Sequence, residues 1–224
     1  MSWRQPRRSP IDRKISVAET DRGLVRHYWP VELRPAFDAL FAIDDVMAEV
    51  VASSTQPILG AIRLAWWREA LERLDHHSPP PEPRLTAAAA LLLPRGVTGA
   101  ALAAIEDGYA TLLDEQPDRD RLGAGGAALF AIGATLLGGD DAKLPVAGRL
   151  HAFARAARRG YAAFRDDVAP SELRGHRFPR ALRPLTAFAR LAARDVRQAP
   201  AREAEATPAR AAALLSHRLF GTIG

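Results

Sequence analysis

Apolar residues recur at three- and four-residue steps over most of the chain, and no stretch alternates like a strand. Phe37, Leu40, Phe41, Met47 and Val51 mark a helix over 35–52, with Pro35 tolerated in its first turn. The segment 57–74 carries two apolar rows: Leu59, Ile62, Trp66 and Ala70, and beside it Leu64, Trp67, Leu71 and Leu74. A stripe that wide predicts a central helix covered on two sides, with Arg68–Glu72 and Glu69–Arg73 pairing on what is left exposed. Ser54 or Thr55 is expected to cap its start. Further helices are expected at about 12–27, 84–93, 98–115, up to Leu137, 144–168, 180–198 and 208–220. Between them lie Trp29-Pro30, the proline-rich 76–82 segment, Gln116-Pro117-Asp118, Gly138–Asp141 and the stretch between Pro170 and Pro179. The pattern describes an all-α chain of eight or nine helices, a single domain over 11–224 behind a disordered basic arm at 1–10.

Composition agrees. Alanine, the best helix former, occurs 45 times in 224 residues, and aromatic residues make up only 7%. With no cysteine, disulfides, thiolate-held zinc, iron–sulfur clusters and thiol nucleophiles are all excluded. The start has no apolar core of the kind a secretory signal needs, and the longest apolar runs are about half a membrane span. The expectation is a cytoplasmic protein, with peripheral contact at the inner membrane surface left open.

The net charge of +5 is unevenly spread: 1–14 carries +4, 15–150 carries −7 and 151–224 carries +8. A basic end beside an acidic middle suits a phosphate-bearing ligand, an anionic membrane surface or an acidic partner. Nucleic acid is not expected as a partner. The C-terminal arginines alternate with Ala and Leu at helical spacing, with little aromatic interleaving and no recognised nucleic-acid motif. Only two lysines occur, Lys14 and Lys143, a bias that genome composition explains.

Asp44 is the first residue that asks for chemistry, because it falls on the apolar row of the 35–52 helix. A carboxylate on a core-facing stripe needs a partner, a metal or a cavity. Asp45 and Glu49, four residues apart, stand on the adjoining polar face and repel unless a cation lies between them. Either the set holds a divalent metal or diphosphate, or it is an acidic face with one carboxylate paired to an arginine. Asp166 and Asp167, after Arg165, offer a second acidic segment, which pairs with Arg158, Arg159 or Arg165 if it holds no metal. The run Gly123-Ala-Gly125-Gly126-Ala-Ala128 loosely matches a dinucleotide loop but follows no strand, so close helix packing explains it better. Asp75-His76-His77 reads as a surface turn.

The chain also resembles a family. Tyr28-Trp-Pro, Arg34-Pro-Ala-Phe-x-Ala-Leu-Phe-Ala-Ile and above all Gln56-Pro-Ile-Leu-Gly-Ala-Ile-Arg-Leu-Ala-Trp-Trp-Arg-Glu-Ala-Leu-Glu are similar to squalene/phytoene synthases. The likeness is greatest to their divergent bacterial branch, related to a mitochondrial complex I assembly factor. It is strong over about 20–75, weaker at 122–137 and faint from 150 onwards. It implies an isoprenoid-synthase-like helical bundle in which two aspartate-rich motifs hold Mg2+ and prenyl diphosphates for head-to-head condensation. On that resemblance the candidate metal ligands, in a rearranged set, are Asp44, Asp45, Glu49 and Asp166, with Arg63, Arg165 and Trp66 as candidates against the substrate.

The departures from that pattern are substantial. An ungapped match puts the first aspartate motif on Ala48, Glu49 and Ala52, with Asp45 in place of a diphosphate-binding arginine. In the second motif Arg165-Asp166 fits, while the last Asp falls on Pro170. The resemblance therefore implies a protein that has lost the condensation and binds a prenyl lipid or a protein partner. The alternative is an active Mg2+-dependent prenyltransferase with rearranged ligands.

Overall fold

The computed structural model describes residues 20–161, 164, 170–198 and 203–223; the basic arm, Arg165 and Asp166 lie outside them. The described chain is all-α. Its helices are α1 (Asp21–Arg26), α2 (Arg34–Ser53), α3 (Pro57–Glu72), α4 (Pro83–Leu91), α5 (Gly99–Ala103), α6 (Glu106–Ala110), α7 (Arg119–Leu137), α8 (Leu144–Arg158), α9 (Arg183–Arg197) and α10 (Pro208–Phe220). Among the described residues extended pairing is limited to an isolated bridge between Arg177 and Thr222.

Helix α2 runs through the middle, buried from Ala36 to Val51 on most of its circumference. Its N-terminal half joins an aromatic cluster, with Phe37 4.9 Å from Trp29 and 4.6 Å from Phe41, and Phe41 4.9 Å from Phe188 of α9. Such contacts add to the burial itself, by about 0.5–1.5 kcal/mol per pair. Helices α7 and α8 approach until a Cβ built on Gly126 would stand 2.4 Å from the Gly148 carbonyl oxygen. A Cβ on the neighbouring Gly125 would stand 3.0 Å from the Gly108 Cα of α6. The glycine run is thus a packing surface, and the chain has no room there for larger residues.

Several boundaries differ from the sequence pattern for identifiable reasons. The 98–115 stretch breaks into α5, α6 and a 3-10 turn, which lets Gly99 press on the end of α3 and Gly108 on α7. Asp75 caps α5, its carboxylate accepting from the amides of Gly99 (2.6 Å) and Ala100 (3.0 Å). The expected 144–168 helix stops at Arg158, where Gly160 takes φ +107°, open to glycine and strained for other residues. Neither Ser54 nor Thr55 caps α3: the Ser54 hydroxyl donates back to the Val50 carbonyl of α2 at 2.6 Å.

The larger correction concerns α3. Its row Leu64, Trp67, Leu71 and Leu74 is buried, but Leu59, Ile62 and Trp66 face outward together with Ile58. The helix lies at the edge of the bundle, packed on α2, α5 and α6, and of its outward row only Ala70 is buried. Glu69 and Arg73 stand 4.0 Å apart as expected, whereas Arg68 reaches Glu106 rather than Glu72.

The two ends of the described chain meet. Arg210 of α10, 1% exposed, donates to Asp21 of α1 (2.5 and 2.8 Å) and to Asp195 of α9 (2.5 Å). Ala206, at φ +55°, turns its amide onto Asp21 as well, at 3.0 Å. A buried arginine among carboxylates is the form in which such a charge is tolerated.

Candidate functional site

Asp44 and Asp45 sit where α2 faces α1, α6 and α8. Asp44, 2% exposed, accepts on Oδ1 from the Tyr109 hydroxyl of α6 at 2.5 Å and on Oδ2 from Nη1 of Arg155 on α8. The same Arg155 donates through Nη2 to Asp45 Oδ1 at 2.8 Å and bridges to the Tyr109 oxygen at 3.1 Å. Asp45 is also clamped by Arg22 of α1, which donates to both of its oxygens. All four carboxylate oxygens thus accept from a guanidinium or a phenol.

Burial pushes the Arg155 guanidinium below its ordinary range, and the Arg159 and Arg22 charges push the same way. The two carboxylates in contact keep it protonated. Burial likewise raises the Tyr109 phenol, which stays a hydrogen-bond donor.

These groups form one side of a cavity of about 620 Å3 between α1, α2, α8 and α9. Phe41, Ala154, Phe188, Leu191 and Ala192 supply apolar wall; Arg22, Arg155, Arg158, Arg159 and Arg210 supply cations; Asp21, Asp45, Asp195 and Glu205 supply anions. Arg158 donates to Asp195 at 3.0 Å and to the Glu203 carbonyl, and Arg210 is locked between Asp21 and Asp195. Arg159 differs from the rest: among the described residues no carboxylate pairs with it, and it is exposed.

His151 lines the same space, its ring 5.7 Å from Phe130 and 5.1 Å from Phe188. Its Nε2 is buried without a hydrogen-bond partner. Burial first, then the Arg22 and Arg159 charges, hold its pKa down at about 3, so the ring is neutral near pH 7. Behind it a much smaller void of about 30 Å3 lies between α6, α7 and α8 beside Gly108, Gly125 and Gly126.

Of the residues singled out in the sequence, Asp44 and Asp45 converge here. Glu49 does not: it is exposed and meets Arg84 of α4 at 3.4 Å. Arg63 is exposed, donating to the Ser53 hydroxyl at 3.2 Å, and Trp66 stands in the outward row of α3. Asp166 and Arg165 lie outside the described residues. The sequence reading missed Arg22, Tyr109, His151 and Arg155. Only Arg155 left a signal, as it precedes Arg158 and Arg159 by three and four residues on one helix face.

Among the described residues, Asp44 and Asp45 leave Mg2+ no open carboxylate oxygen. That ion needs near-octahedral oxygen ligation, and here the carboxylate oxygens already hold N–H and O–H donors, with two guanidinium charges in contact. What the site offers is a concave, partly apolar space lined by five arginines and four carboxylates. Comparison of the chain with protein-family models, with curated proteins and with solved structures finds no match.

Proposed function

We propose that this chain is a squalene/phytoene-synthase-like protein that binds the phosphate-bearing end of a prenyl lipid in its central cavity and does not carry out head-to-head condensation. The observation that carries the reading is the neutralisation of Asp44 and Asp45 by Arg22, Arg155 and the Tyr109 hydroxyl. With Arg22 and Arg155 spent on the two carboxylates, the part that metal ions would take toward a diphosphate falls to Arg159, through charge-assisted hydrogen bonds. Arg159, without a carboxylate of its own among the described residues, is the first contact for the anion. Phe41, Phe188 and Leu191 face the start of the hydrocarbon chain. A prenyl lipid is favoured over a protein partner because the cations and the apolar wall lie inside one cavity of ligand size.

The rival reading is an active Mg2+-dependent prenyltransferase using Asp44, Asp45, Glu49 and Asp166. It has the convergence of Asp44 and Asp45 in its favour and the displacement of Glu49 to another face against it. Titration of farnesyl and geranylgeranyl diphosphate into the protein, with EDTA and with Mg2+, separates the two. Saturable binding that survives EDTA, weakens on Arg159→Gln and gives no product with Mg2+ is expected. Product above a boiled control would replace this reading by the rival, and absence of binding in both buffers would remove both.

A further inference from the structure

A second basic surface lies away from the central cavity, at the C-terminal end of α10. A groove of about 440 Å3 runs between the 28–31 turn, the start of α9 and α10. Arg180, Arg183 and Arg218 line it, and no carboxylate does. Arg183 spends its donors on backbone carbonyls, those of Phe178, Arg218 and Leu219. Arg218 stands over the Tyr28 ring at 5.0 Å. Among the described residues none of the three meets a carboxylate within 4.0 Å, so their charge is uncompensated. The nearest acid in sequence is Glu32, next to Val31 but outside the groove lining.

Apolar side chains stand out beside these cations. Leu215 and Leu219, four residues apart on one face of α10, are 53% and 61% exposed, Phe220 is 57% exposed and Val31 is 70% exposed. Leu219 and Pro30 line the groove, which places Phe220 and Val31 at its rim.

We infer that this end of the molecule docks on an anionic phospholipid surface, with arginines at the headgroup phosphates and Leu215, Leu219, Phe220 and Val31 entering the acyl boundary. Charge complementarity selects the occupant: three arginines without local acid attract an anionic surface, and each cation near such a surface contributes about 1 kcal/mol. Protruding apolar tips on two separate elements need no shape-matched pocket in a lipid, whereas an acidic protein would leave them in water. The outward row of α3 lacks this setting. Glu69 and Arg73 flank it together, in the part of the chain with net charge −7.

The chain has no cysteine, so Phe220→Cys gives a single site for an environment-sensitive fluorophore, and Ile62→Cys on α3 gives its control. Both proteins are mixed with vesicles of phosphatidylcholine alone or with about a third phosphatidylglycerol, a charged-surface comparison. The expected result is a blue shift for the Phe220 label with anionic vesicles only, and none for the Ile62 label. The shift should fade when salt rises from about 0.1 M to about 1 M, which shortens the screening length from ~10 Å to ~3 Å. Arg180→Ala with Arg218→Ala should weaken vesicle binding on the order of thirtyfold, with unchanged helical circular dichroism. A Phe220 label insensitive to vesicles, equal binding to uncharged ones, or a shift at Ile62 in its place would overturn the proposal. So would capture by polyglutamate without any response to vesicles, which would make the surface an acidic-protein site.

Discussion

Two arginine-rich regions of this molecule differ in what surrounds the guanidinium groups. In the central cavity Arg22, Arg155, Arg158 and Arg210 each meet a carboxylate, and Arg210 is almost fully buried. In the groove at the end of α10, Arg183 meets backbone carbonyls, Arg218 an aromatic ring, and Arg180 is exposed. The same residue type neutralises carboxylates in one place and, among the described residues, has none to neutralise in the other. Local acid decides which, and the net charge of the C-terminal part does not.

The sharpest way to break that contrast is to strand a buried charge. Asp44→Ala leaves Arg155 and the Tyr109 hydroxyl facing a void, and a loss of about 3–5 kcal/mol in urea unfolding is expected. Arg210→Ala, leaving Asp21 without a guanidinium and Asp195 with Arg158 alone, belongs to the lower end of the same range. If either variant unfolds at the wild-type urea concentration, the central network is not structural. Gly148→Ala tests the wall behind it. The new Cβ would stand 2.4 Å from the Gly126 carbonyl oxygen, and about 1–3 kcal/mol should be lost as α7 and α8 part.

Acid should act on both regions through histidine. His151 in the cavity and His217 beside the groove are held at about 3 and about 4, chiefly by burial. The Nδ1 of His217 stands 2.9 Å from the Thr222 carbonyl oxygen and its Nε2 2.9 Å from the Thr186 hydroxyl. The unfolded chain takes up these protons near pH 6.5 and the folded chain does not. Stability is therefore full above about pH 6.5 and falls as pH drops toward 4, by on the order of 3 kcal/mol per ring. His151→Phe, placed between Phe130 and Phe188, should flatten part of that acid limb in urea midpoints taken against pH. The smallest effects belong to the groove: Arg180→Ala or Leu219→Ser should change stability by no more than about 0.5 kcal/mol. A large loss there would mean that the groove is held as the cavity is.

Much of the fold was legible in the chain because local signals set it. Pro35, Pro57 and Pro208 stand in the first turns of α2, α3 and α10, and the apolar period runs unbroken behind each. The break within 98–115 was not legible, since it serves contacts of Gly99 and Gly108 with helices distant in sequence. Periodicity also could not say which row of α3 would be covered, so Trp66, expected in a row with neighbours on it, faces outward instead. At the site, a carboxylate on an apolar row correctly marked Asp44 as needing a partner. Its partners, 65 and 111 residues away, come from the arrangement of helices and leave no trace in the spacing around it.

The clasp between Asp21 and Arg210 spans 189 residues. Contacts of such separation form late, because the whole intervening chain must be ordered before they add anything. Arg22, the neighbour of Asp21 and the second clamp on Asp45, reaches its place by the same event. The cavity is therefore completed only when the first and last helices meet. Amide exchange in α1 and α10 should rise together, and before that in α2, whenever the chain opens from the native state.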